Sequence, residues 1–246
     1  MKTNDINDFL KTFKILARNH NSWTVWQDYI SLCACAISNS VDKTNYEKRE
    51  QEYCSTIRKY DKQERRLFPK LFAKLALALE NDPEQDFLGS IYMGLDFGNQ
   101  YTGQFFTPYD ICRTMAMMTI PSVCGHVNEY GFSTIHDPCC GAGATLIAGA
   151  NVAKELYNKE GKNFQNYILF LGQDIDRVVG LMCYLQLSLL GCAGYIKIGD
   201  TLADPMQSND DLSKYWFTPV YFTEIWAVRR ALHSMDILMK SSNENG

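Results

Sequence analysis

The sequence predicts an α/β protein in which an open, mostly parallel sheet follows an N-terminal helical domain. Two patterns carry that expectation. Over the first ~90 residues apolar side chains recur with the 3.6-residue period of helices. Beyond about residue 100, short β-type runs alternate with helical stretches, which implies parallel pairing with right-handed crossovers. The predicted division is a helical domain over 1–85 and a sheet-containing domain over 86–246.

In chain order, Ile6, Phe9, Leu10, Phe13 and Leu16 fall at helical spacing on one face. Trp23, Trp26, Ile30 and Cys33 continue the pattern in a second helix. The mixed-sign run from Lys48 to Arg66 reads as a solvated helix face with i,i+4 pairs. Pro69 interrupts that helix or starts a new one, whose stripe of Leu71, Phe72, Leu75 and Leu79 ends before Asn81-Asp82-Pro83, the best domain boundary. Strands are expected at Phe132–His136, Tyr167–Leu171, Tyr195–Ile198 and Tyr215–Phe217. Helices are expected at Ala144–Tyr157 and Val178–Leu190, with a last one suggested by Trp226, Ala227, Arg230, Leu232 and Met235.

Composition narrows the function. Of 246 residues, 46% are hydrophobic and 21% charged, so the chain should fold, and 24 Lys+Arg against 28 Asp+Glu give −4, which is no field to draw it onto nucleic acid or membrane. DNA binding has to be local or borrowed from a partner. No membrane-spanning run or signal peptide is apparent, and a cytoplasmic location is expected. Nine cysteines without a C-x2-C…C-x2-C arrangement read as free thiols, and no metal is expected. Scattered histidines and the lack of a nucleophile elbow argue against hydrolysis.

In open parallel sheets ligands bind beyond the carboxyl ends of the strands, and the informative residues stand there. The first predicted strand runs into Asp137-Pro138-Cys139-Cys140-Gly141-Ala142-Gly143 and then a helix. Glycines at such a turn let a ligand approach the backbone, and the helix start offers unpaired N–H groups. Leu146 stands where a dinucleotide fingerprint wants a small residue, and no Gly-Lys-Ser/Thr of a P-loop follows. The second strand leads to Gly172-Gln173-Asp174, whose acid can accept from ribose hydroxyls, and the third to Gly199-Asp200, where a carboxylate or its backbone can accept from an adenine amino group.

The run Gly103-Gln104-Phe105-Phe106-Thr107-Pro108, then Asp137-Pro138-x-x-Gly141-x-Gly143, Gly172-Gln173-Asp174 and Gly199-Asp200, resembles the adenine-N6-specific DNA methyltransferases, especially the modification subunits of type I restriction–modification systems. The resemblance covers roughly residues 85 to 205. It implies a Rossmann-like fold and S-adenosyl-L-methionine as cofactor. By that resemblance Phe106, Thr107 and Pro108 flank the cofactor, Asp137, Pro138, Gly141 and Gly143 belong to the turn that wraps its methionine end, Asp174 holds the ribose and Asp200 the adenine amino group. Carboxylates and glycine backbone also suit a sulfonium and an ammonium better than a pyrophosphate.

The family's Asp/Asn-Pro-Pro-aromatic motif, which accepts from the adenine amino group and stacks on the flipped base, is degenerate here. At the expected place stands Thr218-Pro219-Val220-Tyr221, so the catalytic candidates are Thr218, Pro219 and Tyr221. A short hydroxyl replaces a carboxamide or carboxylate, and the loss of one such acceptor typically costs on the order of a hundred- to a thousandfold in rate. The alternative is a loop whose likeness is accidental. With 25 residues after Tyr221, the sheet is expected to be truncated, and sequence-specific DNA reading to need a separate specificity subunit. Two functions follow: adenine-N6 methyl transfer to DNA, or a catalytically inactive cofactor-binding or assembly module of a restriction–modification or mobile-element system.

Overall fold

A computed structural model describes residues 2–97, 106–128, 130–207 and 210–232. Gly103, Gln104, Phe105 and Met235 of the expectations above lie outside the described residues.

Helices α1 (Lys2–Leu16), α2 (Ser22–Val41), α3 (Tyr46–Ile57) and α4 (Leu67–Asn81) make up the N-terminal part. Phe9, Phe13 and Leu16 of α1 are buried, as their spacing requires, against Trp26 and Tyr29 of α2. The Asn21 side chain caps α2 by accepting from the Thr24 N–H at 3.1 Å. Pro69 stands in the first turn of α4, where its missing N–H costs nothing, so it starts a helix and does not kink one. The charged run is divided accordingly: α3 stops at Ile57, and Tyr60 turns inward beneath Phe68.

That run is also less solvated than its composition suggests. Arg49 is buried, donating to Ser38, to Asp42 at 2.6 Å and to the Tyr215 carbonyl at 2.6 Å, with its guanidinium 4.0 Å from the centre of the Trp216 ring. Glu52 pairs with Arg177 at 2.7 Å. One face of α3 therefore fastens the helices to the sheet.

Helices α5 (Phe87–Gly94) and α6 (Tyr109–Gly125) lead into the sheet. Strands β1 (Ser133–Asp137), β2 (Ile168–Asp174) and β3 (Gly194–Ile198) alternate with α7 (Ala144–Lys159) and α8 (Arg177–Leu189). They pair in parallel in the order β1-β2-β3, with Asp137 opposite Gly172 and Asp174 opposite Ile198. The carboxyl ends that carry Asp137, Asp174 and Asp200 consequently lie side by side. Ile135, Phe170 and Ile196 point to the helix-covered face, and one hydrophobic core runs from them into α1–α4.

The fourth strand departs from the parallel pattern. β4 (Tyr215–Phe217) runs antiparallel to β3, Tyr195 facing Phe217. Residues 199–214 include no α-helix in their described part, and without a crossover helix the chain can only return alongside the strand it has just left. The result is an open, mostly parallel four-stranded α/β sheet in which β1 has no strand partner on its outer edge among the described residues. No helix there is long and apolar enough to cross a membrane.

Candidate cofactor site

The turn after β1 is held from both sides. Asp137 accepts from the Cys139 N–H at 3.0 Å and from the Thr145 hydroxyl, so it joins the strand end to the first turn of α7. Gly141 and Gly143 take left-handed backbone conformations, φ 55° and 99°. A Cβ on Gly143 would come to 2.8 Å from the Cys183 sulfur of α8, so this glycine is required for helix packing, not to leave room for a ligand. At Gly141 a Cβ would sit 3.4 Å from the Phe106 ring.

Asp174 bridges the first two strand ends. Its carboxylate accepts from the Gly141 N–H at 2.9 Å and from the Asp176 N–H at 2.9 Å. Burial holds its pKa above the ordinary carboxylate range, although those two N–H bonds pull the other way. Asp176, next along, caps α8 by accepting from Val178 at 2.8 Å and Val179 at 3.2 Å. Between the two acids Ile175 is 68% exposed, an apolar side chain at a polar rim. Periodicity gave no sign of it, since a single residue in a turn has no period.

Asp200 accepts from Leu202 at 2.9 Å and Ala203 at 3.4 Å, which shapes the turn after β3. The neighbouring Thr201 hydroxyl donates to the Pro138 carbonyl and so ties the third strand end to the first. Buried Lys197 anchors the rest of that loop through Asp204 at 2.9 Å and Asp210 at 2.6 Å. Desolvation opposes the charge of Lys197, yet its pKa stands raised by those carboxylates, while Lys197 and then the Tyr215 hydroxyl hold Asp210 down at about 2.

Phe106, Thr107, Asp137 and Gly141 line one cavity of about 90 Å³, together with Asp86, Cys112, Cys140, Ala144 and Thr145. Pro108 stands just outside it, heading α6 with its carbonyl accepting from Ile111 and Cys112. Gly143 is the residue before α7. The structure thus brings together Phe106, Thr107, Asp137, Pro138, Gly141, Gly143, Asp174 and Asp200. Asp86 was not among the expected site residues, because an Asp three residues before Gly89 reads as an ordinary helix cap.

Thr218, Pro219 and Tyr221 are elsewhere. Thr218 is fully buried at the amino end of β3: its hydroxyl donates to the Cys192 carbonyl at 2.7 Å and accepts from the Gly194 N–H at 2.9 Å. The five-residue strand β3 separates it from Asp200, a span of at least about 13 Å. Pro219 opens a short 3-10 turn, and the Tyr221 ring stacks on Phe217 at 5.0 Å with the Arg230 guanidinium 4.3 Å from its centre. The expectation that these three face the cofactor is corrected: an antiparallel β4 at the β3 edge delivers them to the opposite end of the sheet. A cavity of about 780 Å³ near them is lined by His136, Leu171, Tyr195, Phe217 and Tyr221 among others, on the sheet face away from α7 and α8, and none of the carboxyl-end aspartates borders it.

Compared with known protein families, residues 84–239, more than half of the chain, match the model of a family described as N-6 DNA Methylase. No curated protein matches the sequence.

Proposed function

The chain belongs to the N-6 DNA methylase family, and on that premise we propose that it is an S-adenosyl-L-methionine-dependent adenine-N6 DNA methyltransferase of the type I modification-subunit kind. Its described residues form the cofactor half of the active site. The observation that carries the reading is the convergence of Asp137, Asp174 and Asp200 on one edge, around a glycine turn.

The chemistry of that edge fits the cofactor. Among the described residues the cavity lining includes two carboxylates and neither lysine nor arginine, which suits a ligand bearing an ammonium and a sulfonium and repels a pyrophosphate. At about 90 Å³ it has room for an amino-acid end only, so Asp174, Ile175 and Asp200 on the open rim would hold the adenosyl part. Asp174 is already fixed by two backbone N–H groups and keeps acceptor capacity for ribose hydroxyls. The exposed Ile175 side chain would supply an apolar surface for the adenine ring. When bound, the cofactor supplies an electrophilic methyl group on sulfur.

What this chain's residues must add is a pair of acceptors for the adenine amino hydrogens and a ring for the flipped base. Thr218 and Tyr221 are committed at the other end of the sheet, so those groups come from outside the described residues or from a second subunit. A separate specificity subunit then supplies target reading on DNA. That same placement of Thr218 favours the second reading, a catalytically silent cofactor-binding module.

One experiment separates the two. Labelled cofactor is offered to the full chain with adenine-containing DNA, alone and with candidate specificity subunits, while cofactor binding is measured in parallel. Label on adenine N6 supports the methyltransferase; binding without transfer under every condition leaves the silent module; no binding overturns both.

A further inference from the structure

We infer that Asp86, at the start of α5, is the counter-ion that receives the α-ammonium group of the cofactor's amino-acid end. The inference rests on the cofactor reading above and names the residue that would select its charged end.

Asp86 is 6% exposed and lines the cavity closed by the glycine turn. One of its oxygens, Oδ1, accepts from the Gly89 N–H at 2.8 Å and from the Gln186 side-chain N–H at 2.8 Å. The other, Oδ2, has no hydrogen-bond partner among the described residues and is not sealed from solvent. A buried carboxylate with one oxygen doubly satisfied and the other without a partner, on a residue that lines a cavity, is an incomplete ion pair.

Its position is rigidly built. Gln186 of α8 is fully buried, and its amide binds Asp86, the Ala142 carbonyl at 2.9 Å and the Leu88 N–H at 3.1 Å. The carboxylate is thereby locked to the same turn that carries Gly141. Gly89 is part of the device: a Cβ there would overlap the Asp86 carboxylate, so only glycine leaves it in place.

Among the described residues, the titratable groups that share the cavity with Asp86 or feel its charge are Asp137 from β1, Cys112 from α6, Cys139 and Cys140 of the turn and Cys183 of α8, none of them cationic. Burial first, then the two carboxylates, holds the Cys112 thiol above its usual range; Cys183 is raised by burial and by Cys140 before the carboxylates contribute. Asp86 itself is raised by burial against the two N–H bonds it accepts. A cation arriving beside it stabilises the ionised form, so ligand entry at a pH where Asp86 still holds its proton must release it.

The test uses the full chain and two ligands: S-adenosylhomocysteine, and its analogue with hydrogen in place of the α-amino group. Asp86→Asn keeps the helix cap and removes the charge. It should weaken S-adenosylhomocysteine about 10- to 100-fold and leave the deaminated analogue unchanged, and calorimetry in buffers of different ionisation enthalpy should lose the proton release of the natural protein. Gly89→Ala, which displaces the carboxylate without removing it, should show the same selectivity. Equal weakening of both ligands, or none, in these variants overturns the assignment while the cofactor reading stands. Failure of the natural protein to bind S-adenosylhomocysteine overturns the cofactor reading and this inference with it.

Discussion

The two ends of the parallel strands use polar residues in opposite ways. At the amino end Thr218 spends its hydroxyl on Cys192 and Gly194, and beside β4, level with Lys197 of β3, buried Arg49 spends its guanidinium on Ser38, Asp42, Tyr215 and Trp216. Those bonds serve the fold. At the carboxyl end Asp86, Asp137, Asp174 and Asp200 each use part of their capacity to fix backbone and keep part open. The contrast teaches that a polar residue's role is read from what it has left over. Thr218, which the family resemblance offered for catalysis, is spent on the fold; Asp86, on which the sequence reading was silent, lines the cavity.

Substitutions sharpen that contrast, beginning with the largest expected effect. Arg49→Met leaves Asp42 buried without its partner and should lower stability by about 3–4 kcal/mol in chemical denaturation, with cofactor affinity unchanged in the folded fraction. Asp137→Ala should do the reverse. By releasing the strand-to-helix turn and an acceptor it should weaken cofactor binding by about a hundredfold, near 2.7 kcal/mol, at little cost in stability. Gly143→Ala forces a Cβ into a left-handed position and against Cys183, and should cost about 2 kcal/mol in stability and loosen the turn enough to reduce affinity too. Gly143→Leu should abolish binding through the same displacement of α8.

Thr218→Val removes the hydroxyl while keeping its shape. It should cost about 1–2 kcal/mol, because the buried Gly194 N–H loses its acceptor, and leave cofactor affinity and any methyl transfer untouched. A fall in transfer rate at unchanged stability would return Thr218 to the active site. The smallest effect is a pH dependence. Asp174 has a raised pKa in the folded chain, so it binds its proton more tightly folded than unfolded; its contribution to stability is present at low pH and is lost as pH rises through the folded value. Asp174→Asn should flatten that part of the stability profile.

Much of this was legible beforehand, for identifiable reasons. Helical period placed α1, α2 and α4, and the β-run, glycine-turn, helix sequence placed β1–α7 and β2–α8 nearly to the residue, since each of those segments is long and patterned. The strand ends with Asp137, Asp174 and Asp200 followed from parallel topology. Tyr215–Phe217 was found as a strand, but three apolar residues carry no direction, and the antiparallel return that removes Thr218 from the site depends on a connection without a helix. Arg49 looked like solvent-facing charge because a mixed-sign run does not reveal which of its members turns inward to meet Trp216.

The central claim, that the carboxyl edge and not the opposite end is where S-adenosyl-L-methionine binds, is tested most directly by amide hydrogen exchange of the full chain with and without the cofactor. The account predicts slowed exchange in peptides spanning 86–89, 137–145, 174–176 and 199–203, with 192–195 and 215–222 unchanged. Protection confined to the segments around Thr218 and Tyr221, or absent everywhere at saturating cofactor, would contradict it.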